Sequence, residues 1–274
     1  MRKKLDIKEI QSASLNILKR VADFCDKHNI YYVLAYGTLI GAVRHKGFIP
    51  WDDDIDIMMP RPDYDRFVDL FCKENDDSQL VLFNQDTCNT YPYGITRISD
   101  IKYEIHTVNE KDCGMGLFID IYPLDGIGST HEEGFQKLEE SHIICDKLLL
   151  LTRKKLYCPQ LPNVKKQIVY ICKKIQYMLK GKNSYYRQLQ DLISQANYDN
   201  SNYVGCLAWI FNPTRGVYKK SLFMERIKMK FEDSSFYVPK GYDEILRTHF
   251  GDYMQLPPVE KRIYHHGYVA YIKS

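Results

Sequence analysis

The sequence holds no window near the roughly 18 consecutive apolar residues that a bilayer-spanning helix requires. Its strongest apolar run, IICDKLLLL, is short and broken by Asp146 and Lys147. The opening stretch MRKKLDIKEIQSASLNILKR carries charge throughout and lacks the continuous apolar segment of a signal peptide, so a cytoplasmic location is expected. Eight cysteines (Cys25, Cys72, Cys88, Cys113, Cys145, Cys158, Cys172 and Cys206) are scattered without a CxxC pair, which argues against a structural zinc site and for reduced thiols. Internal repeats and low-complexity runs are missing. A net charge of +3 is too small to imply nucleic-acid binding, and none is expected. The most local deficit is acidic: from Lys147 through Gln190 there is no Asp or Glu.

What is present describes a folded protein. With 45% hydrophobic and 27% charged residues in 274, the chain supports one substantial core plus an appendage. Apolar positions at helical spacing over 7–28 predict an opening helix. YYVLAYG (31–37) reads as a buried strand stopping at Gly37, TLIGAVRHKG as a short helix ending near Gly47, and DDDIDIMMP as a strand closed by Pro60. RPDYDRFVDLFCKEN reads as a helix with Pro62 in its first turn. Further strands are expected around 79–84, 93–106 and 116–122. The order predicts an α/β (α+β) fold, a mixed sheet flanked by helices. Three parts are expected: a catalytic core over 1–129, a helical insertion over 130–215, and a C-terminal segment over 216–274 that returns to the core.

Inside the insertion, NVKKQIVYICKKIQYMLK sets Val164, Ile168, Ile171, Ile175, Met178 and Leu179 on one side of a helix and lysines on most of the other. The plain expectation is a helix packing that stripe into the core. The sharper one is peripheral contact of 147–190 with anionic lipid at the inner face of a membrane, or with a phosphorylated acceptor.

Chemistry concentrates in GTLIGAVRHKGFIPWDDDIDIMMP, where four aspartates fall within five residues. Strand alternation puts Asp54 and Asp56 on one face, about 7 Å apart, with Ile55 and Ile57 turned to the core. Two such carboxylates suit Mg²⁺, with Mn²⁺ as the alternative, because a hard cation takes oxygen ligands and keeps positions for water and phosphate. Ahead of them, Gly37 and Thr38 open a helix whose first N–H groups can receive a phosphate. Asp120 in GLFIDIYPLDG is a third acid set in an apolar strand. Small-residue turn, helix, paired-aspartate strand and a later acidic strand together form the pattern of the nucleotidyltransferase fold.

YGTLIGAVRHKGFIPWDDDIDI, DYDRF, GLFIDIYPLDG and the C-terminal FGDYMQLPPVEKR with its two histidines resemble the LicD family of phosphotransferases, which includes fukutin and its relatives. The resemblance covers about 30–125 and 225–268. It implies a nucleotidyltransferase-like fold and Mg²⁺-dependent transfer of a phospho-alcohol, phosphocholine above all, from a CDP-linked donor such as CDP-choline to a hydroxyl of a glycan or its lipid-linked precursor, releasing CMP. Lipopolysaccharide and teichoic acid are the expected kinds of cell-surface acceptor. Asp54, Asp56 and Asp120 would be the metal and catalytic residues, with Asp120 either completing the metal site or taking the proton of the attacking hydroxyl.

Other candidates flank these. Arg44 is expected to clamp the diphosphate, while His45 and Lys46 read as helix-end cations. Asp52 is expected just behind the ligand pair, and Asp53 as a loop or buried hydrogen-bonding group. Trp51 either stacks on a base or caps the core. Arg97 is a phosphate contact or half of a surface ion pair. Lys261 and His265 are the C-terminal donor-binding candidates, beside Arg262 and His266. Two other readings stay open: a nucleotidyltransferase that attaches NMP and releases pyrophosphate, and a non-catalytic nucleotide-binding or membrane-surface adaptor.

Overall fold

The computed structural model describes residues 3–107, 109–158, 161–210, 212–263 and 267–273. Helix α1 (Ile7–Lys27) starts at a reciprocal cap in which Asp6 accepts from the Glu9 N–H and Glu9 accepts from the Asp6 N–H. Its stripe Ile10, Ile17, Leu18, Val21 and Cys25 is buried. Strand β1 is only Val33–Leu34, shorter than the expected 31–37. Tyr36 takes a positive φ of 45°, which turns the chain out of extended geometry and starts helix α2 (Tyr36–Ile40). A π-helical turn, Gly41–His45, completes that helix.

Strand β2 (Asp56–Pro60) is buried along its whole length and ends at Pro60, as expected. Helix α3 (Arg61–Glu74) follows with Pro62 in its first turn. Next come β3 (Leu80–Phe83), β4 (Thr96–Asp100) and β5 (Tyr103–Thr107), so the single strand expected over 93–106 is divided by a turn at Ile101–Lys102. Strand β6 (Leu117–Gly128) runs six residues past its expected end at 122. Helices α4 (His131–Thr152), α5 (Val164–Lys180) and α6 (Lys182–Ser194) follow, then β7 (Tyr203–Gly205), β8 (Tyr218–Lys219), the hairpin β9 (Arg226–Phe231) and β10 (Ser234–Pro239), helix α7 (Tyr242–Phe250) and β11 (Tyr268–Ile272).

The main sheet is mixed, with order β1-β2-β6-β4-β3, and β7 and β8 extend it from the far end of β6. Among the described residues only β2 and β6 pair in parallel. β11 pairs with β5, returning the C-terminal strand to the middle of the chain.

Alternation divides the sheet into two faces. Ile55, Ile57, Met59, Ile119, Ile121 and Ile98 enter the large core with α1 and α3. Met58 and Leu124 enter a smaller apolar cluster with Phe223 and Ile245. Asp56 and Asp120 stand on the Met58 side, since each is two or four residues from a member of that cluster along its strand. A fully buried Asp125 ties α3, β6 and the segment after β7 together, accepting from Arg61 Nε at 2.6 Å and from the Leu207 N–H at 2.9 Å.

Candidate active site

Parallel register sets Asp56 of β2 opposite Asp120 of β6, and antiparallel register sets Asp120 opposite Arg97 of β4. The three side chains form one row across three adjacent strands. Both carboxylates are buried. The Asp56 N–H donates to Thr38 Oγ1 at 2.8 Å, the Asp120 N–H donates to Ile55 O at 2.8 Å, and Asp56 O accepts from the Ala35 N–H at 2.9 Å. Thr38 therefore bonds the backbone that carries Asp56.

Arg97 is neither exposed nor a surface ion pair. It is buried, donating from Nε to Asp120 Oδ1 at 2.5 Å and from Nη2 to Oδ2 at 3.4 Å. Its guanidinium lies between the rings of Tyr93 and Phe118, at 3.8 and 3.9 Å from their centroids. Burial works against its charge, but Asp120 and the neighbouring tyrosines outweigh that and hold its pKa well above the ordinary value. A cleft of about 710 Å³ opens beside it, lined among others by Tyr93, Phe118, Met115, Arg153 and Tyr268.

Asp54 precedes β2 rather than lying in it. Its charge acts on Tyr122, as do those of Asp56 and Asp120. Burial, then the charges of Asp56 and Asp120, then Tyr36 and Asp54, hold the Tyr122 hydroxyl well above its usual pKa. Tyr122 packs edge-on against Tyr36 with ring centroids 5.0 Å apart. It went unnoticed in the sequence, although its place two residues beyond Asp120 puts it on the acidic face.

The loop ahead of β2 holds a second gathering. Among the described residues, Asp52, Asp53 and Asp54 bring carboxylate oxygens within 4.8 Å of one another. Asp53 is buried, as expected. Gln11 of α1 donates from Nε2 to Asp52 O at 2.7 Å and to Ile49 O at 3.4 Å, fixing the loop to the core helix. Gly37 lies in the first turn of α2, where a Cβ would come within 2.7 Å of Asp52 Oδ2, so only glycine lets the carboxylate approach this closely. On its other side the loop is clasped by the β9–β10 turn: Glu232 Oε1 accepts from the Phe48 N–H at 2.9 Å, and the Glu232 N–H donates to Lys46 O at 2.8 Å.

Cations border the loop. Arg44 Nη1 donates to Tyr253 O and, at 3.4 Å, to Gln255 O, so the residue expected to clamp a diphosphate also fastens the C-terminal segment. Burial, and then the charge of Arg262, lower its pKa. Arg262 lies 5.5 Å from the Trp51 ring, and His45 meets that ring edge-on at 6.3 Å. The C-terminal segment thus returns to the acidic loop through Arg262, while Lys261 is exposed at the end of the turn Val259–Lys261. His265 and His266 lie outside the described residues.

The donors that Asp54, Asp56 and Asp120 offer are all carboxylate oxygens, which fits Mg²⁺ or Mn²⁺. A carboxylate has about four lone-pair sites, so the Arg97 bonds leave Asp120 capacity for a cation.

A mixed α/β sheet with acids aligned on neighbouring strands is the frame of a nucleotidyltransferase domain, and residues 29–149 match the family described as LicD/FKTN/FKRP, nucleotidyltransferase domain. Over 98% of its length the chain is 34% identical to lipopolysaccharide cholinephosphotransferase LicD of Haemophilus influenzae, 99% of which is covered. An uncharacterised protein of Rickettsia typhi is 42% identical over 45% of this chain and 38% of its own length. The chain belongs to the LicD family.

Proposed function

We propose that this protein transfers phosphocholine from CDP-choline to a hydroxyl of a glycan or its lipid-linked precursor, releasing CMP in a reaction that depends on Mg²⁺. Its membership of the transferase class rests on the full-length match to an enzyme named for cholinephosphate transfer to lipopolysaccharide. The observation that carries the reading is the Asp56–Asp120 row, set on parallel strands within the matched segment.

Asp54, Asp56 and Asp120 would hold the metal ion, which when bound offsets charge on the diphosphate and on the departing CMP. The chain's own residues supply position. Thr38 and Ala35 set the backbone of Asp56, and the two Arg97 donors fix the plane of the Asp120 carboxyl. Arg44 and Arg262 border the loop with positive charge suited to the donor's phosphates, while the half-buried Trp51 packs against the core beneath Arg262. Asp120 would either complete the metal site or accept the proton of the acceptor hydroxyl. Phosphoryl transfer asks mainly for such positioning and electrostatics, so no Ser or Cys nucleophile is needed.

The test is product analysis. With CDP-choline, Mg²⁺ and no acceptor, slow CMP formation that Asp56→Asn abolishes supports the proposal. Pyrophosphate release from a nucleoside triphosphate, with CDP-choline left intact, would replace it with nucleotidyl transfer.

A further inference from the structure

Helix α5 is turned opposite to the expectation that its apolar stripe packs into the core. Val164, Ile168, Ile175 and Leu179, at i, i+4, i+11 and i+15 on one face, are exposed, with Leu179 at 85% and Val164 at 73%. Met178 on the edge of the stripe is exposed too. The opposite side meets the body of the protein. There Gln167 bonds the backbone of Cys158 and Leu161, Tyr177 packs edge-on against Tyr185 at 5.7 Å, and Lys174, only 3% exposed, donates from Nζ to Arg153 O and Lys155 O at 2.6 Å each. A polar and aromatic face is docked, and an aliphatic face is left to solvent.

Charge says what covers it. Lys165, Lys166, Lys173 and Lys180 are exposed on the same helix. Residues 147–190 hold eleven cations and no acid, in a chain whose net charge is +3, so the remaining residues sum to −8. The stripe itself is aliphatic, without the Trp, Tyr or Arg anchors that concentrate binding energy in protein interfaces. Aliphatic side chains with Lys165 at their edge, and Lys166, Lys173 and Lys180 reaching round from the far flank on long flexible stems, suit acyl chains beneath anionic headgroups. Among the described residues no helix is long and apolar enough to cross a membrane, so the contact is one of lying on the surface.

We infer that α5 is a docking helix for an anionic phospholipid surface, on which Val164, Ile168, Ile175 and Leu179 enter the interface while Lys165, Lys166, Lys173 and Lys180 meet the headgroups. Lys174 takes no part, because its ammonium is committed to backbone carbonyls inside the protein. The inference stands apart from the proposed reaction, since vesicle binding is read without substrate.

Flotation of the full chain with phosphatidylcholine vesicles, with and without phosphatidylglycerol, tests it at low and high salt. Binding is expected only to the anionic vesicles and is expected to fade with salt. Replacing Lys165, Lys166 and Lys173 by Gln should weaken it about 100-fold, at roughly fivefold per lysine. Ile168→Ser with Leu179→Ser should weaken it at least about 10-fold, while leaving CMP release from CDP-choline and the circular dichroism unchanged. Absence of binding to anionic vesicles at low salt, or equal binding by both variants, would overturn the inference. So would a wild-type dimer in light scattering that Ile168→Ser with Leu179→Ser dissociates, because a second copy would then cover the stripe.

Discussion

Arg97 donates from Nε to Asp120 Oδ1 at 2.5 Å across the β4–β6 pair, so the acid at the centre of the candidate site is bound to a cation within the same sheet. Breaking such a buried pair from one side leaves an uncompensated charge, at a cost of about 3–5 kcal/mol. Arg97→Met should therefore destabilise the fold by that amount in urea unfolding, and Arg97→Met combined with Asp120→Asn should recover most of it. Activity should be lost in both proteins. Recovery of stability without recovery of activity separates the structural share of the pair from its functional share.

Asp56, which Arg97 does not bind, should show the reverse pattern, with activity lost and the fold kept. Asp56→Asn and Asp120→Asn are each expected to lower kcat by about 100-fold or more, the scale of removing one group that faces developing charge. The melting temperature of Asp56→Asn should move by a few degrees at most. Titration with Mg²⁺, followed by the rate of CMP formation, should show a raised metal requirement in any variant that retains turnover.

Gly37 offers a geometric test. Gly37→Ala brings a methyl group within 2.7 Å of Asp52 Oδ2, so the Asp52 carboxylate must turn away. Because only the end of a side chain has to give, the stability cost should stay below the roughly 1–3 kcal/mol of overpacking in a core. The loss of activity should exceed what that destabilisation explains, as measured well below the melting temperature.

Acid should weaken the fold through His249. Burial is the main cause that lowers its pKa below 6.5, opposed by its bond to Arg215 O and helped by the Arg215 charge. The Tyr218 hydroxyl faces Nδ1 at 2.7 Å, Arg215 O lies at 2.9 Å, and the rings of Tyr36 and Phe250 pack at 5.1 and 4.5 Å. The unfolded chain binds the proton first, so the stabilising contribution is complete above pH 6.5 and is lost as pH falls through the lower folded value. In His249→Gln the slope of urea-unfolding free energy against pH should flatten in that window.

Several of these features could be read from residues alone. The alternation of Ile55 and Ile57 with acids fixed the inward face of β2, and Pro60 marked its end. Asp120, flanked by Ile119 and Ile121, announced the second acidic strand. Cross-strand register was not legible, because nothing in TRISD or FIDIY says that Arg97 falls opposite Asp120. The end of β1 was missed because a left-handed Tyr36 carries no sequence mark, unlike glycine. β6 continues past its expected end at 122 through Pro123, a residue that has no N–H to give to a ladder. By alternation from the Asp120 N–H, which points to β2, the Pro123 nitrogen faces the other way. β6 pairs with β4 only as far as Ile121 and with β7 only from Asp125, so no ladder bond is lost there. The stripe of α5 misled for a different reason: periodicity shows that a helix has an apolar face but not which neighbour, protein or otherwise, receives it.

The hold of Glu232 on Lys46 and Phe48 places the acidic segment under the control of a turn nearly two hundred positions downstream. A fragment trimmed to residues 29–149 would keep every candidate metal ligand and still lose α1, the β9–β10 hairpin and the Arg262 side of the site. The minimal working unit is consequently larger than the stretch by which the family is recognised, and attempts to pare the enzyme down should spare both ends of the chain.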